Sequence, residues 1–339
     1  MDARNQKRND FINNIAWGDA ESVVVAGDAS HRSYDRLTKQ DGKTAILMNS
    51  PPEKGEDVKP FIKILNHLRD NGLEAPALLE SDCENGFLLL EDLGDDLFVR
   101  MCQTSPELEE DLYKAAIDAL VQLHAASNPK DTAAYDLDAY LHETDLVTDW
   151  YLPSISGQVT TYALTKSYRA EVTAVCEAIK TPHPVLVLRD YHAENLLWLP
   201  DRSGVKNIGL LDFQDALIGH PAYDLVSLLE DARRDTSKEL QASMKDYFIK
   251  KSKASKNAFN YAYAALGAQR NLKIIGIFAR LCVRDSKPHY VDLIPRVWAH
   301  LQNDLSHPDL ASLKNWVDIN IPEPTPDVLS GIKEAQNAA

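Results

Sequence analysis

The sequence predicts an α+β fold in which strands come first and helices follow. Three observations predict it. Between Ser22 and Glu91, short β-branched or apolar runs alternate with turn-forming pairs such as Asp41-Gly42 and Asn85-Gly86. From Leu112 onward, apolar residues recur mostly at helical spacing. Inside that helical region one stretch, Pro184 to Pro221, reads instead as short apolar strands that deliver acidic and amide side chains.

The bulk properties narrow the class. A chain of 339 residues is long enough for two lobes and a substantial core. Its apolar and charged fractions, 44% and 26%, are those of an ordinary soluble protein. No apolar run approaches the roughly 18 residues that suggest a membrane span. The first residues, MDARNQKRNDFINN, lack the apolar stretch of a secretory signal. Cys83, Cys102, Cys176 and Cys282 are scattered, without a CxxC pair or a His-Cys cluster, which argues against zinc and a disulfide framework. The expectation is a cytoplasmic protein with reduced thiols. A net charge of −15 without a basic stripe argues against nucleic acid as partner. It leaves ATP open, because a local metal and a few cations decide phosphate binding.

The elements follow in order. Asn9 to Trp17 predicts a short helix, and Ser22 to Val25 a strand. The loop Gly27-Asp28-Ala29-Ser30-His31-Arg32-Ser33 leads to a second strand near Tyr34 to Leu37, and Thr44 to Met48 is the third. Backbone amides with Ser30, Arg32 and Ser33 suit a phosphate cradle, against the plain alternative of a hairpin loop. Pro60 to Asp70 predicts a helix with the stripe Phe61, Ile64, Leu65 and Leu68. Two further strands, Ala77 to Ser81 and Phe87 to Glu91, end at Glu91-Asp92-Leu93-Gly94. Thr104-Ser105-Pro106-Glu107 reads as a capping box for a helix reaching His124. Further helices are expected over Tyr140 to Leu152, Arg169 to Lys180, Asp224 to Arg233, Leu240 to Lys250 and Ala258 to Val283. Pro322 to Pro326 reads as an extended arm and Ala335 to Ala339 as a frayed end.

The chemistry concentrates between Pro184 and Pro221. The apolar run Val185 to Leu188 leads into Arg189-Asp190, and Asn195 follows five residues after Asp190. A strand over Leu196 to Leu199, a polar turn and a second strand then deliver Asp212. A loop, a hairpin and a second acid make a compact device for holding a divalent metal against a phosphate. In it Asp190 accepts a hydroxyl proton, and Asn195 and Asp212 offer hard oxygen ligands to Mg²⁺.

At these residues the sequence resembles the protein-kinase-like superfamily. Asp-x-x-x-x-Asn, a hairpin and Asp-Phe are its catalytic and metal motifs. The match is to the aminoglycoside phosphotransferase and choline kinase group. The strings RDYHAENLLWLP and LLDFQDALIGHPAYDLVSLL look closest to the bacterial anomeric kinases for N-acetylmuramate and N-acetylglucosamine. The resemblance implies a two-lobed fold, with a small antiparallel-sheet nucleotide lobe over 1–92 and a larger, mainly helical catalytic lobe over 93–339. It implies Mg-dependent transfer from ATP to the anomeric hydroxyl of an amino sugar in cell-wall sugar recycling.

The resemblance also assigns residues. Asp190 is catalytic, and Asn195 and Asp212 bind the metal. The loop residues Ser30, His31, Arg32 and Ser33 are placed over the phosphates, and Glu91 and Leu93 at the adenine edge. Tyr191, His192 and Glu194 project from the catalytic loop, and one of them is expected to meet the acceptor. Asp215 either contacts metal or substrate or caps the local turn. Arg270 and Lys273, three apart on one helix face, meet a lactyl carboxylate or the transferred phosphate, unless they are simply a solvated basic face. Arg189 is expected to be a structural partner, and Asp224 to tie the catalytic loop to the next helix.

One departure matters. Kinases place a Lys on the third strand, paired with a Glu on the next helix. Here Met48 stands near the Lys position, and KPFIKILNHLRD has no Glu. Arg32, ahead of Arg36 and Lys59, is the expected phosphate cation. Two rivals stay open: a kinase for a cationic alcohol, which Arg270 and Lys273 disfavour, and a non-catalytic nucleotide-binding module, which Asp190, Asn195 and Asp212 together disfavour.

Overall fold

The computed structural model describes residues 3–27 and 31–336. Two compact units share the chain: Met1–Pro129 with Ala193–Ala216, and Lys130–His192 with Leu217–Ala339. The first supplies α1 (Ala3–Asn14), β1 (Glu21–Gly27), β2 (Ser33–Thr38), β3 (Thr44–Asn49), α2 (Lys59–Asp70), β4 (Leu78–Asp82), β5 (Phe87–Glu91), α3 (Phe98–Thr104) and α4 (Glu109–Ala125). The second then supplies α5 (Leu137–Thr144), α6 (Leu152–Ser156), α7 (Tyr162–Glu177) and β6 (Val185–Val187). The chain returns to the first for β7 (Leu196–Trp198) and β8 (Ile208–Leu210). It ends in the second with β9 (Leu217–Gly219), α8 (Ala222–Leu229), α9 (Lys238–Ser252), α10 (Lys256–Val283), α11 (Ile294–Asp304), α12 (Ala311–Asn320) and α13 (Pro326–Ala335). Among the described residues no helix is long and apolar enough to cross a membrane.

In the first unit β1 to β5 form one antiparallel sheet in the order β1-β2-β3-β5-β4. Side chains alternate across a strand. Accordingly Leu37, Ala45, Leu47, Phe87 and Leu89 share one apolar cluster with Phe11 and Ile12 of α1. Phe11 stacks on Phe87, with ring centroids 5.7 Å apart, and Arg4 lies over the same ring at 3.9 Å. Met48 is paired with Tyr34 and Leu88 in the sheet and is buried. The stripe expected on α2 is its buried face: Phe61, Ile64, Leu65 and Leu68.

The second unit is organised on α10, whose buried positions run from Phe259 to Cys282 on nearly every turn. Gly276 lets it approach the segment at Leu146: a Cβ there would strike the Leu146 backbone.

Several expected elements differ. Thr104 does not cap a helix; it ends α3, and its hydroxyl donates back to the Arg100 carbonyl at 3.1 Å. Pro106 to Leu108 is a 3₁₀ turn, so α4 begins at Glu109 without a side-chain cap. The helix expected over Tyr140 to Leu152 is broken into α5 and α6 by a π-helical stretch, Val147–Tyr151. Its Tyr151 is buried, as expected, but Trp150 is only half-buried. The helix after Asp224 stops at Leu229 rather than Arg233. The extended arm stops at Thr325, whose hydroxyl caps α13 by accepting from Val328 N at 3.4 Å.

Candidate active site

In the second unit, β6 pairs antiparallel with β9 and carries the chain into Leu188, Arg189 and Asp190. Arg189 adopts φ 72°, a left-handed conformation that a side-chain-bearing residue holds only when its surroundings impose it. Asp224, fully buried near the start of α8, imposes it. Its carboxylate accepts from the amides of Leu188 at 2.7 Å and Arg189 at 2.8 Å. The tie expected for Asp224 is thus made through the backbone.

The Arg189 side chain turns onto Glu143 of α5 and lies 5.3 Å from the Tyr135 ring centre. Glu143 is a hub. It also receives Lys273 Nζ at 2.9 Å, Gln269 Nε2 at 3.2 Å and the Tyr135 hydroxyl. Burial alone would raise the Glu143 carboxyl, but Lys273 and Arg189 hold it below its usual value. The same cations act on Asp190. Burial works to raise its carboxyl, and Lys273, Arg270 and Arg189 outweigh it, so Asp190 is an ionised acceptor at neutral pH. Burial pushes the His192 imidazole down to about 4, which leaves it neutral.

Arg270 and Lys273 therefore belong to the electrostatic surroundings of Asp190, and a solvated basic face is ruled out. They differ in commitment. Lys273 is ion-paired to Glu143. Arg270 donates through Nη2 to Ser227 Oγ at 2.8 Å, while its buried Nη1 has no hydrogen-bond partner.

The first unit holds the other expected groups. β7 and β8 form an antiparallel hairpin in which Leu196 faces Leu210. One step beyond that pair, Leu211 N donates to Asn195 O at 3.0 Å. This register sets Asn195 beside Asp212, with Nδ2 3.3 Å from Oδ2. Asp212 has φ 55°, and its other oxygen accepts from Gln214 Nε2 at 2.7 Å. Phe213, between them, is buried against Phe61 of α2 with ring centroids 4.9 Å apart. A half-turn of the Asn195 amide exchanges its nitrogen and oxygen, which brings two hard oxygen donors together. The described residues contain no group of three or more His, Cys, Asp or Glu side chains suited to a metal. One carboxylate and one amide fit Mg²⁺, which keeps waters and takes phosphate oxygens rather than an all-protein cage.

The segment before β2 is held by a residue that sequence reasoning missed. Glu56 accepts from Arg32 Nε at 2.8 Å and from the His31 amide at 3.1 Å. Burial works against the Arg32 charge, but Glu56, and more weakly Asp215, raise its pKa. Asp215 is exposed and acts on Arg32 within this unit. Ser33 opens β2 and accepts from Asn49 Nδ2 at 3.3 Å. Ser30 lies outside the described residues. Arg36 is occupied elsewhere, with ion pairs to Asp92 at 2.7 Å and Asp95 at 2.8 Å. The Glu91 amide is used in the sheet edge, donating to Ala77 O at 2.8 Å, and its side chain pairs with Arg202 at 2.8 Å. Leu93 packs over Gly209, where an added Cβ would come within 3.1 Å of its Cδ1. Glu194 is half-buried in this unit, whereas His192 is buried in the other.

The comparisons with known proteins identify the family. The model of the phosphotransferase enzyme family matches residues 22–260. The chain belongs to that family. It is a phosphotransferase with an alcohol group as acceptor, on an α+β, protein-kinase-like fold. An N-acetylmuramate/N-acetylglucosamine kinase of Caulobacter vibrioides is 37% identical, over 93% of this chain and 96% of its own length. The enzyme of the same name from Pseudomonas aeruginosa is 34% identical, over 92% and 95%. A choline/ethanolamine kinase family protein from Mesorhizobium loti superposes with a TM-score of 0.60 at 12% identity, covering 98% of this chain and 99% of that one. At that identity the likeness is one of fold.

Glu56, Glu143 and Gln214 were not singled out from the sequence. Gln214 had a signal, since it lies two residues from Asp212. Glu56 is 24 residues from Arg32, and Glu143 is 46 from Arg189, with no local pattern to link them.

Proposed function

We propose that this phosphotransferase is an ATP- and Mg²⁺-dependent kinase for the anomeric hydroxyl of N-acetylmuramate, N-acetylglucosamine or both, serving cell-wall sugar recycling in the cytoplasm. The observation that carries the acceptor class is identity of 31–37% to kinases of that name. The geometry supports the roles. Asp190 is a fixed, ionised carboxylate that orients the acceptor hydroxyl and takes its proton. Asn195 and Asp212 would hold the metal, which would neutralise charge on the transferring phosphoryl group. Arg32 and the neighbouring segment, with Ser30, His31 and Ser33, meet the donor phosphates. Glu91 and Leu93 mark the adenine edge, at a lobe boundary after residue 92.

The acceptor is met by His192, Glu194 and Arg270, and Asp215 adds its charge to the surroundings of Arg32. Lys273 acts on the reaction through Asp190 and Glu143. The unpartnered Nη1 of Arg270 favours an acceptor that carries an anion or a good hydrogen-bond acceptor. A cationic alcohol would have to sit near Lys273, Arg270 and Arg189, which already crowd Asp190 with positive charge.

The test is mass-resolved phosphorylation with Mg-ATP of both N-acetyl amino sugars, choline and an aminoglycoside, with reducing-end reactivity assayed on each product. A phosphorylated amino sugar without a reducing end is expected. A product that keeps its reducing end overturns the position of transfer. Turnover of choline or the aminoglycoside alone overturns the acceptor.

A further inference from the structure

The missing lysine leaves a physical question inside the first unit: what holds a cation in a fixed direction beside the donor phosphates? Met48 cannot be replaced in that task by a rotamer change of a neighbour on its own strand. It is buried, between Tyr34 and Leu88 in the sheet. Helix α2 carries no Glu or Asp before its last residue, so it offers no inward anion. The anion comes from the connection before α2. Pro52–Lys54 forms a single 3₁₀ turn closed by Gly55 N donating to Pro52 O at 2.9 Å. Gly55 takes φ 86°, a left-handed conformation suited to glycine, and Glu56 follows at once.

Both Glu56 oxygens are then used on one target segment. Oε1 takes the amide of His31 and Oε2 takes Nε of Arg32. The two charged side chains are each 12% exposed, so solvent screens the pair far less than an ordinary surface ion pair. The Nε bond ties one edge of the planar guanidinium to the Glu56 carboxylate and orients the group. A guanidinium so oriented suits a phosphate, which accepts two parallel N–H donors.

We infer that Glu56 and Arg32 together replace the absent strand-lysine and helix-glutamate pair, with Arg32 meeting the donor phosphates and Glu56 positioning it. This rests on the reading of the segment at His31 to Ser33 as a phosphate-binding one. Glu56 itself does not touch the nucleotide. It couples the direction of Arg32 to the backbone of His31, so the cation and the loop amide are set by the same carboxylate. The competing arrangement is that Glu56 merely occupies Arg32 and must be displaced by ATP. The two make opposite predictions, because removal of a positioning residue weakens ATP and removal of a competitor tightens it.

The experiment is a double-mutant cycle on the full chain: Glu56→Gln, Arg32→Ala and the double variant, with Glu56→Asp as the conservative control. Mg-ATP affinity is read by calorimetry, and KM for ATP and for the acceptor by steady-state kinetics. Thermal melting without ligand confirms folding. We expect Glu56→Gln and Arg32→Ala each to weaken ATP by about tenfold, the loss expected for one charge-assisted bond. Acceptor KM stays within about twofold, and the double variant is no worse than Arg32→Ala. Glu56→Asp recovers part of the loss. Tighter ATP binding in Glu56→Gln, multiplying effects in the double variant, or unchanged ATP affinity in Arg32→Ala each overturns the inference. Calorimetry separates it from the acceptor assignment. If the cycle behaves as expected while no amino sugar is phosphorylated, the ion-pair role stands and the sugar kinase does not.

Discussion

The Asp224 carboxylate accepts the backbone amide of Arg189 at 2.8 Å, and that bond holds the turn on which Asp190 is presented. The neighbouring amide of Leu188 is bound by the other carboxylate oxygen. Asp224→Ala leaves both buried donors without this acceptor and frees Arg189 from its left-handed conformation. The expected cost is about 3 kcal/mol of stability, on the order of 1–3 kcal/mol for each unsatisfied group. Urea denaturation measures it, and turnover falls together with stability. A variant as stable as the wild type shows that the turn holds itself.

Asp224 also predicts a pH dependence. Burial pushes its carboxyl up to about 7, against the opposing pull of the two amides. In the unfolded chain the group titrates near ~3.9. Between those values the folded state binds more protons than the unfolded state, so this contribution to stability declines as pH rises from about 4 to about 7. It is flat above. In Asp224→Asn the decline disappears. Urea midpoints of the two proteins at pH 5 and pH 8 give the difference directly, and parallel behaviour across that range contradicts the assignment.

Glu143 neutralises two cations at once. Glu143→Ala leaves the half-buried Arg189 and Lys273 without their shared anion, at an expected cost of about 3 kcal/mol. Because the cluster is shielded, raising the salt concentration does not recover the loss. A small or salt-sensitive effect, seen by chemical denaturation, means that water replaces Glu143 freely.

The two proposed reaction roles separate kinetically. Asp190→Asn keeps shape and hydrogen-bonding capacity but removes the acceptor charge; kcat is expected to fall by ~10²–10⁴ with ATP affinity retained. Asp212→Asn is expected to raise the Mg²⁺ concentration needed for half-maximal rate, measured by metal titration at fixed ATP. Equal Mg²⁺ requirements in wild type and variant argue against Asp212 as a ligand.

Met48→Lys, the substitution that restores the usual kinase residue, is expected to harm this chain. The site is 1% exposed, and α2 brings no glutamate. An unpaired buried ammonium costs several kcal/mol, on the order of 3–5 when a charge lacks its partner. Denaturation and the ATP KM report it; a stable variant with tighter ATP shows that the third strand still has room for the original design.

What was legible in the sequence was legible for local reasons. The apolar runs of β3 and β5 next to their turn pairs, the α2 stripe and the hairpin between Asn195 and Asp212 are patterns within one or two turns or strands. Arg189 as a structural residue and Asp224 as a tie were read correctly in kind, while their partners, Glu143 and the two amides, needed coordinates. Lys273 shows the limit. Its spacing from Arg270 placed both on one face, but nothing local said that Glu143, on another helix, consumes one cation and leaves the other a spare donor. Thr104 failed for the opposite reason: its local motif was present, and a turn of α3 claimed the hydroxyl first. The helix after Thr325 was missed because a proline cluster read as extended chain, although Pro326 occupies the first helical turn, where proline is favoured.

The chain visits the first unit twice, and this has a consequence for inheritance and for engineering. Residues 193–216 return to a body whose other residues end at Pro129. They are stitched to it by the Glu74 to Gly209 and Leu97 to Leu197 bridges and by Trp198 N donating to Asp96 O at 2.8 Å. A gene fragment ending at Pro129 therefore encodes an unfinished object, and one that begins at Lys130 carries residues 193–216 away from the body they pack on. Neither body can be duplicated, shuffled or expressed as one uninterrupted cassette. Asn195 and Asp212 ride on the return visit, so the residues proposed to hold the metal cannot be gained or lost by swapping an end of the protein.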